Sequence, residues 1–241
     1  MVSEIMLQQT QVSRVLPKYK EFLTVFPTPK ALAQCKDADL LTIWSGLGYW
    51  RRARFLKETS KTITKQYNGK FPKDIPTLKT LPGIGPYTAG AIACFAFNNE
   101  SAFIDTNIRR VYLHFFFHDK TEVPDSEILT IAQKALRGQD PREWHWALFD
   151  YGALVLKDKK INQKSKHYTK QSKFEGSFRS YRAKTVRHLL AQKDHRIPKA
   201  LLLDYIEELL RQDERDFSAT EILESLEKDT LVTRKGSLIT L

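Results

Sequence analysis

Cysteine is scarce in this sequence of 241 residues, which contains only Cys35 and Cys94. The two lie in separate segments of helical character, and their spacing matches neither a disulfide framework nor a metal-ligand motif. A scaffold stapled by disulfides is therefore excluded, and we expect a reduced, intracellular environment.

Long apolar runs are also missing. No stretch approaches the roughly 20 apolar residues that a membrane-spanning helix needs, and no signal peptide is visible. We therefore expect no membrane partner. Hydrophobic residues still make up 41% of the chain, which is enough for a packed core and argues against wholesale disorder.

Acidic residues are in the minority, with 28 Asp and Glu against 39 Lys and Arg, and the net charge is +11. The excess is concentrated in one segment. Residues 157–187 hold eight Lys and three Arg against two acidic residues, a net +9, whereas 188–241 hold eight basic and eleven acidic residues, a net −3. Such clustering favours a face that binds a polyanion such as nucleic acid.

The segment 80–97, TLPGIGPYTAGAIACFAF, combines a glycine turn with the start of an apolar helix. Gly83 and Gly85 flank Ile84, and we expect both glycines to take positive φ values that other residues resist. Pro86 suits the first position of a helix. The turn would direct backbone N–H groups of a helix amino end outward, an arrangement that binds phosphate. The alternative is an ordinary turn between two core helices, but the whole string is far more specific than a lone Gly-x-Gly.

A second glycine turn, Gly46–Arg54 (GLGYWRRAR), leads into a basic helix. Aromatic residues beside arginines, here Tyr49 and Trp50, can wedge between bases or stack on them while the arginines hold phosphates. The alternative is a helix turn whose aromatic side chains pack inward, and the segment alone leaves both open.

Residues 2–16 predict one amphipathic helix that Pro17 ends. The polar run 8–11 interrupts its apolar face, which makes sense if these side chains face bases or a groove, because buried amides need partners. Glu4, in the first turn, is by itself most simply a surface acid near a helix amino end.

Two aspartates stand beside apolar helical patterns. Asp105 fits the N-cap of a helix with Ile108, Val111 and Tyr112 buried behind it, and such an Asp is far more often a cap than a catalyst. Asp150 lies inside the apolar helix predicted over 142–156, so we expect it to be buried with a structural partner.

The last fifty residues predict a small winged-helix-like appendage. A helix over 198–211 is followed by the capping box Ser218–Glu221, which opens a second helix. The alternating tail 231–241 predicts a hairpin that turns at Lys235–Gly236. The negative charge of this region argues against its being the main contact with a polyanion.

Taken together, these motifs resemble the helix-hairpin-helix superfamily of DNA glycosylases, and most closely its adenine DNA glycosylase (MutY) branch. The resemblance implies an all-α fold with two helical subdomains flanking an active-site cleft. The expected domains are a glycosylase core over 1–156, a basic segment over 157–191 that completes it, and a small C-terminal helical and hairpin domain over 192–241. The matching segments occur in the family's order: Ser3–Val12, Gly46–Leu56, Leu81–Ala91, Ile104–Val111 and Phe149–Leu154.

The resemblance implies hydrolysis of the N-glycosidic bond of a base flipped out of the duplex. This chemistry needs an acid for the leaving base and an anion beside the sugar as positive charge develops. By motif match, Glu4 protonates the base and handles the water, Asp105 stabilises the sugar cation, and Asn107 orients the site. Tyr87 stands where bifunctional relatives keep a lysine nucleophile, so the resemblance implies a monofunctional enzyme.

The resemblance also implies two sets of DNA contacts. The strand opposite the target base, which carries 8-oxoguanine in the adenine-removing family, would be contacted by Gln9, Thr10, Leu47, Gly48 and Tyr49, with Tyr49 as the intercalating wedge. The phosphate beside the lesion would be held at the hairpin, which is also compatible with a monovalent cation, by Gly83, Ile84, Gly85, Tyr87 and Thr88.

The sequence departs from the family at several positions. Where the family places four cysteines, this chain has Leu156, Gln163, Lys166 and Ser172, so we expect no iron–sulfur cluster. Trp146 takes the place of a Gln or Glu near the adenine, which leaves open a different base such as uracil, thymine or another mismatched base.

A second alternative is a non-catalytic module that binds damaged or abasic DNA, but it would require neither Glu4 nor Asp105. The expected partner is double-stranded DNA with a mismatched or damaged base. The protein is expected to be a monomer, and cytoplasmic and nucleoid-associated if prokaryotic.

Overall fold

The computed structural model describes residues 1–170, 172–213 and 215–241, with only the backbone described at position 159. The described chain is predominantly helical, which confirms the all-α class. It divides into two compact units. The unit that contains the Leu81–Pro86 turn, here the hairpin unit, comprises Met1 and residues 72–170; the other, here the split unit, comprises Val2–Phe71 and Ser172–Leu241.

The first half of the split unit is built from helices joined by short turns. α3 packs along α5, and α1 packs against α2 and α5. Trp44, Phe22 and Leu56 are fully buried in this half. The helices are α1 Val2–Leu7, α2 Val12–Val25, α3 Pro29–Gln34, α4 Asp37–Trp44 and α5 Arg51–Gln66.

The prediction of one helix over 2–16 is wrong, because the chain breaks between α1 and α2. Gln9 takes a left-handed conformation with a φ of 54°, which an α-helix does not accommodate. Pro17 does not end a helix but lies inside α2, where the helix gives up the single backbone hydrogen bond that proline cannot donate. The polar run 8–11 thus forms a connecting loop.

The hairpin unit follows, with α8 in contact with α9 and α10. Its core includes Cys94 and Phe103 together with Ile108, Leu113 and Ile128. The helices are α6 Ile75–Leu78, α7 Pro86–Phe97, α8 Thr106–Phe116, α9 Asp125–Ala135 and α10 Pro141–Asp150, then a π-helical turn at Tyr151–Val155 and a 3₁₀ segment at Lys159–Lys164.

Asp150 contradicts the expectation of a buried structural group. It is the last residue of α10 and is exposed. The apolar stretch continues as the π-helical turn, which rotates the face presented to the core. Gly152 is the buried residue of that turn, and a Cβ there would lie 2.3 Å from the carbonyl oxygen of Asn107. Glycine is therefore required for the close approach to α8.

The second half of the split unit, residues 172–241, is here called the C-terminal module. The strands pair antiparallel in the order β1-β3-β2, with Ile197 and Arg234 on opposite sides of Ile239. Its elements are α11 Phe178–Ala191, β1 Arg196–Pro198, α12 Lys199–Gln212, α13 Ala219–Lys228, β2 Thr233–Lys235 and β3 Leu238–Thr240.

Local motifs predicted much of this module. The Ser218–Glu221 capping box is formed in both directions, and β2 and β3 are joined at Gly236, whose φ is +60°. Strand β1 was not predicted, because its three residues carry no alternation long enough to recognise. α11 packs against both α12 and α13. Across the described ranges, no helix combines the length and apolar character that a membrane span requires.

Candidate nucleic-acid interface and active site

The Leu81–Pro86 turn leads directly into the amino end of α7. Gly83 has a φ of +73°, and Ile84 is 4% exposed, so its side chain anchors the turn in the core. Pro86 opens α7, as predicted. Tyr87 and Thr88 follow in the first helical turn, whose N–H groups and positive dipole end suit an anion.

The expectation of a positive φ at Gly85 is wrong. Gly85 is the N-cap of α7 with φ −85° and ψ −179°, a conformation open to any residue. A Cβ at this position would meet nothing within 4 Å. Glycine here is therefore not explained by strain or internal packing, but it does leave the surface of the turn free for close approach by a ligand.

Asp105 caps α8. Its Oδ1 accepts hydrogen bonds from the backbone N–H groups of Asn107 at 2.9 Å and Ile108 at 2.7 Å. The Asn107 amide donates to Oδ2 at 3.3 Å. Both predicted site residues of this segment thus belong to one hydrogen-bonded arrangement at a helix amino end.

Burial raises the pKa of Asp105 above its ordinary value, while the two backbone hydrogen bonds and the nearby Arg109 and Arg110 act in the opposite direction. Removal from water makes a carboxylate interact more strongly with a cation placed beside it. Arg109 does not neutralise Asp105 directly, since its guanidinium is paired with Asp125 at 2.9 and 2.8 Å.

An aromatic cluster connects the starts of α7 and α8. The Tyr87 ring lies edge-on to Phe103, two residues before Asp105, with the ring centroids 5.8 Å apart. Phe103 stacks on His145 at 4.0 Å. Gly90 of α7 approaches so closely that a Cβ there would lie 2.5 Å from the Phe103 Cβ. Tyr87 is therefore held within the same local framework as Asp105.

Trp146 lies at the edge of this cluster. Its ring stacks on Phe95 with centroids 5.7 Å apart and an interplanar angle of 8°. Half of Trp146 is nevertheless exposed, so the hairpin unit presents a flat aromatic surface here.

A buried polar network supports the start of α8, and no sequence motif indicated it. Arg110 donates to the carbonyl oxygens of Gly152 at 2.5 Å and Leu156 at 3.1 Å. The hydrogen-bonding pattern orients the buried Asn162 amide so that its oxygen accepts from Arg110 at 3.0 Å and its nitrogen donates to Thr106 at 3.2 Å. Arg110 is 5% exposed.

The segment after the π-helical turn does not fit an iron–sulfur cluster. Leu156 packs in the core, and Gln163 and Lys166 are exposed. Cys94 lies in α7 rather than in this segment, and burial raises the pKa of its thiol to about 11. Among the residues that the structure describes, no three His, Cys, Asp or Glu side chains form a metal-binding group.

The same segment is instead fixed by hydrogen bonds. Residues 123 and 165 form a parallel bridge, with Val123 N–H donating to Lys164 O at 2.9 Å and Lys166 N–H donating to Val123 O at 3.0 Å. The Lys164 ammonium donates to His118 O at 2.7 Å. This part of the basic segment is therefore ordered by its own contacts.

In the split unit, Arg52 joins the predicted DNA-contacting segments. Its guanidinium donates to carbonyl oxygens at the end of α1 and in the following loop: Ile5 at 2.7 Å, Met6 at 3.0 Å and Gln8 at 2.6 Å. It also donates to Leu47 O at 2.9 Å, Gly48 O at 3.0 Å and the Thr10 hydroxyl at 3.1 Å.

Arg52 is 8% exposed, and burial lowers its pKa to about 10, which leaves it a cation at neutral pH. Its oxygen partners in these bonds are backbone carbonyls and one hydroxyl. The loop with Gln9 and Thr10 and the turn with Leu47, Gly48 and Tyr49 are thus held together through one side chain. Sequence reasoning missed Arg52, since the run of arginines suggested phosphate contacts.

The Gly46–Arg54 segment divides its aromatic residues between the core and the surface. Trp50 is 6% exposed, whereas Tyr49 is 38% exposed and takes a left-handed conformation with φ 46°. Leu47 is buried, so its side chain supports the turn from within. Gln9 is exposed, and Glu4 is partly buried in α1.

Residues 2–137 match the model of the HhH-GPD superfamily of base excision DNA repair proteins. The chain belongs to this superfamily.

Its curated relatives in the superfamily include adenine DNA glycosylases from bacteria and mammals. That of Mycobacterium tuberculosis is 48% identical over 160 residues, which cover 64% of this chain and 52% of the relative. That of Buchnera aphidicola subsp. Baizongia pistaciae is 39% identical over 158 residues, covering 64% and 44%. The mouse protein is 36% identical over 158 residues, covering 64% and 31%. The chain thus matches about half of these relatives' length or less.

Solved structures support the fold. The structure of a thermostable thymine-DNA glycosylase aligns with a TM-score of 0.59 and 23% identity, covering 66% of this chain and 75% of that chain. A non-covalent endonuclease III–DNA complex aligns with a TM-score of 0.54 and 22% identity, covering 64% and 72%. The expected helix-hairpin-helix glycosylase fold is confirmed.

Proposed function

We propose that this chain is a monofunctional DNA glycosylase that removes adenine mispaired with 8-oxoguanine or guanine. The observation that carries the proposal is Asp105, a desolvated carboxylate fixed at the amino end of α8 by the N–H groups of Asn107 and Ile108. Superfamily membership and the adenine DNA glycosylases among its relatives support the same reaction.

The proposed role of Asp105 follows from the charge that develops in the reaction. As the N-glycosidic bond breaks, positive charge builds on the sugar, and a fixed carboxylate stabilises it without having to reorganise. Asn107, whose amide donates to Asp105 Oδ2, keeps the second oxygen oriented. Glu4 would protonate the leaving base and activate the water.

The proposed DNA contacts use both units. At the hairpin, the backbone from Gly83 to Thr88 would hold a phosphate, since Gly85 leaves room for close approach and α7 supplies its positive dipole end. In the split unit, the exposed Tyr49 ring would enter the duplex. Gln9 and Thr10 would contact the strand opposite the excised base.

Tyr87 supports the absence of a lyase step in this proposal. A phenol cannot form the imine with the opened sugar that an amine nucleophile forms. We further propose that the enzyme works as a monomer without an iron–sulfur cluster, inside the cell where the DNA is, with any monovalent cation confined to the hairpin.

Trp146 favours a second candidate, the same reaction on another base. Its exposed ring, stacked on Phe95, offers a flat apolar face where an amide or carboxylate of the relatives would read adenine by hydrogen bonds. Uracil, thymine or another mismatched base would then be the preferred target.

Product analysis on a panel of duplexes tests the proposal. Each duplex carries one mismatch, and products are resolved with and without alkali. We expect free adenine from duplexes with 8-oxoguanine or guanine opposite, and strand breaks only after alkali. Release of another base would support the second candidate. Binding to damaged or abasic duplexes without release of any base would identify a non-catalytic module.

A further inference from the structure

The C-terminal module contacts the Gly46–Arg54 segment within the split unit. Arg179, in the first turn of α11, donates from Nη1 to the Tyr49 hydroxyl and from Nη2 to Ser172 O at 2.9 Å. The Arg179 guanidinium carbon also lies 5.5 Å from the centroid of the Tyr49 ring. Arg179 is separated from Tyr49 by 130 residues in sequence.

Two guanidinium groups therefore hold one exposed tyrosine. Arg52 lies over the same ring, 5.4 Å from its centroid, and fixes the backbone of the turn through Leu47 and Gly48. Arg52 thus sets the turn, whereas Arg179 contacts the tip of the Tyr49 side chain. An aromatic ring fixed at both its base and its hydroxyl has fewer conformations to lose when it enters a duplex.

A second contact from the module flanks Tyr49. Asp229, at the end of α13, pairs with Arg51 at 3.3 Å and with Arg182 of α11. Arg51 is the first residue of α5. The module therefore contacts two residues of the Gly46–Arg54 segment, Tyr49 and Arg51, which are two positions apart in sequence.

The charge of α13 argues against an independent DNA-reading role for the module. In helix-turn-helix proteins, the second helix of the pair enters the groove. Here that position belongs to α13, where residues 219–228 hold three glutamates against one lysine, and Glu221 and Glu224 are exposed. A groove lined by phosphates repels such a surface.

The position of Arg179 is also electrostatically unfavourable for α11 itself. Its first turn contains no acidic residue, and a cation near a helix amino end is opposed by the helix dipole. The contacts that Arg179 makes to Tyr49 and Ser172 lie outside the helix, so they account for an arginine at this place.

We propose that Arg179 is a positioning residue that holds Tyr49 in the orientation required for DNA insertion, and that the C-terminal module serves as a brace for this turn. This inference rests on the proposed function, because it concerns the residue assigned there as the DNA wedge. It adds a function for the module and a residue that no motif identified.

The test measures base unstacking and excision in parallel. A duplex with adenine opposite 8-oxoguanine carries 2-aminopurine beside the mismatch, and its fluorescence rises when the stack is opened. We expect Arg179→Ala to reduce both this rise and the single-turnover excision rate by about 10-fold. Arg179→Lys should restore part of both, and Arg211→Ala, which removes an exposed charge from the same module, should match the wild type.

Combination with Tyr49 variants separates positioning from direct phosphate binding. In a Tyr49→Ala background, Arg179→Ala should change either readout by less than about 2-fold, since its target is gone. Tyr49→Phe keeps the ring but removes the hydroxyl that Arg179 contacts, so it should reproduce part of the Arg179→Ala defect. This variant keeps the inference testable if Arg179→Ala folds poorly. A full Arg179→Ala effect without Tyr49, or a Tyr49→Phe protein equal to wild type, would overturn the inference.

The outcomes also distinguish this inference from the proposed function. An active wild type with an equally active Arg179→Ala variant would overturn the inference alone. A wild-type protein that neither excises a base nor raises the fluorescence would overturn both.

Discussion

Oδ1 of Asp105 accepts the backbone N–H of Ile108 at 2.7 Å, so the carboxylate proposed for catalysis is also the N-cap of α8. One residue thus satisfies a helix end and places a charge in a partly dry position. The capping hydrogen bonds explain how the Asp105 carboxylate is held in place. The catalytic proposal is that its negative charge stabilises the sugar cation. Substitutions can separate the two roles.

Asp105→Asn is expected to abolish excision while keeping the fold. Asparagine caps helices about as well as aspartate, but it cannot stabilise a sugar cation by charge, so we expect a loss of about 1,000-fold or more in single-turnover rate. Asp105→Ala should lose activity and also about 1 kcal/mol of stability. An Asp105→Asn protein with near wild-type excision would refute the role.

The pH dependence of unfolding provides a second comparison of the wild type with Asp105→Asn. The folded state raises the pKa of Asp105, so its contribution to stability is present at acidic pH and is lost as pH rises through the folded-state pKa. Asp105→Asn does not titrate there. In urea unfolding, the free energy of unfolding of Asp105→Asn should therefore increase relative to that of the wild type between acidic and neutral pH. A difference between the two proteins that does not change with pH would contradict a raised pKa at Asp105.

The hairpin glycines provide a matched pair of variants. Gly83→Ala places a side chain at φ +73° and should cost about 1 kcal/mol of stability. Gly85→Ala meets no atom within 4 Å but puts a poorer capping residue at the N-cap of α7, so it should cost less stability than Gly83→Ala, about 0.5 kcal/mol. If phosphate approaches this backbone, Gly85→Ala still weakens DNA affinity, as measured by fluorescence anisotropy. Unchanged affinity would place the phosphate elsewhere.

Arg52→Lys should disrupt the split unit although it preserves the charge. A single ammonium cannot reach both the carbonyls of Ile5 and Gln8 and those of Leu47 and Gly48, so buried acceptors lose partners. We expect a loss of about 3 kcal/mol in urea unfolding. Lys65→Ala, at the exposed end of the same helix, should be neutral; equal effects of the two variants would contradict the role of Arg52.

Asn162 tests how the segment after α10 is held without thiolate ligands. Asn162→Ala removes partners of Arg110 and Thr106 beneath the start of α8, and should lower stability by about 1–2 kcal/mol as well as slow excision. Gln163→Ala, the exposed neighbour, should do neither.

Protein purified from iron-replete cells should lack stoichiometric iron and keep its activity in chelator; stoichiometric iron would contradict a cluster-free enzyme.

Local sequence signals predicted the helix starts well. Pro86, Asp105 and Ser218 each occupy the expected first or capping position, because caps depend on residues within one turn. The end of α1 before Gln9 and the continuation of α2 through Pro17 could not be predicted from local capping signals. Apolar periodicity suggested one helix, whereas the carbonyls at the end of α1 are taken by Arg52, more than forty residues away.

The interactions around the candidate site depend on distant partners, which is why sequence reasoning missed them. Arg52, Arg110 and Arg179 each looked like one more basic residue in a basic chain. Their targets are backbone carbonyls, two hydroxyls and one amide oxygen, brought close only by folding. Two of these arginines carry a recognisable local signal. Arg52 follows closely on a glycine turn, and Arg179 lies in the first turn of a helix, where the helix dipole disfavours a cation.

Glu4→Gln tests the proposed glycosylase directly. Release of free base by the wild type and by this variant is measured by mass spectrometry, in single turnover on the best duplex of the panel. Glutamine keeps the size of the side chain but cannot donate the proton that the departing base requires. We expect free base from the wild type and a rate at least about 100-fold lower for Glu4→Gln, with duplex affinity retained. Equal release by both proteins, or DNA binding without any released base, would contradict the proposed function.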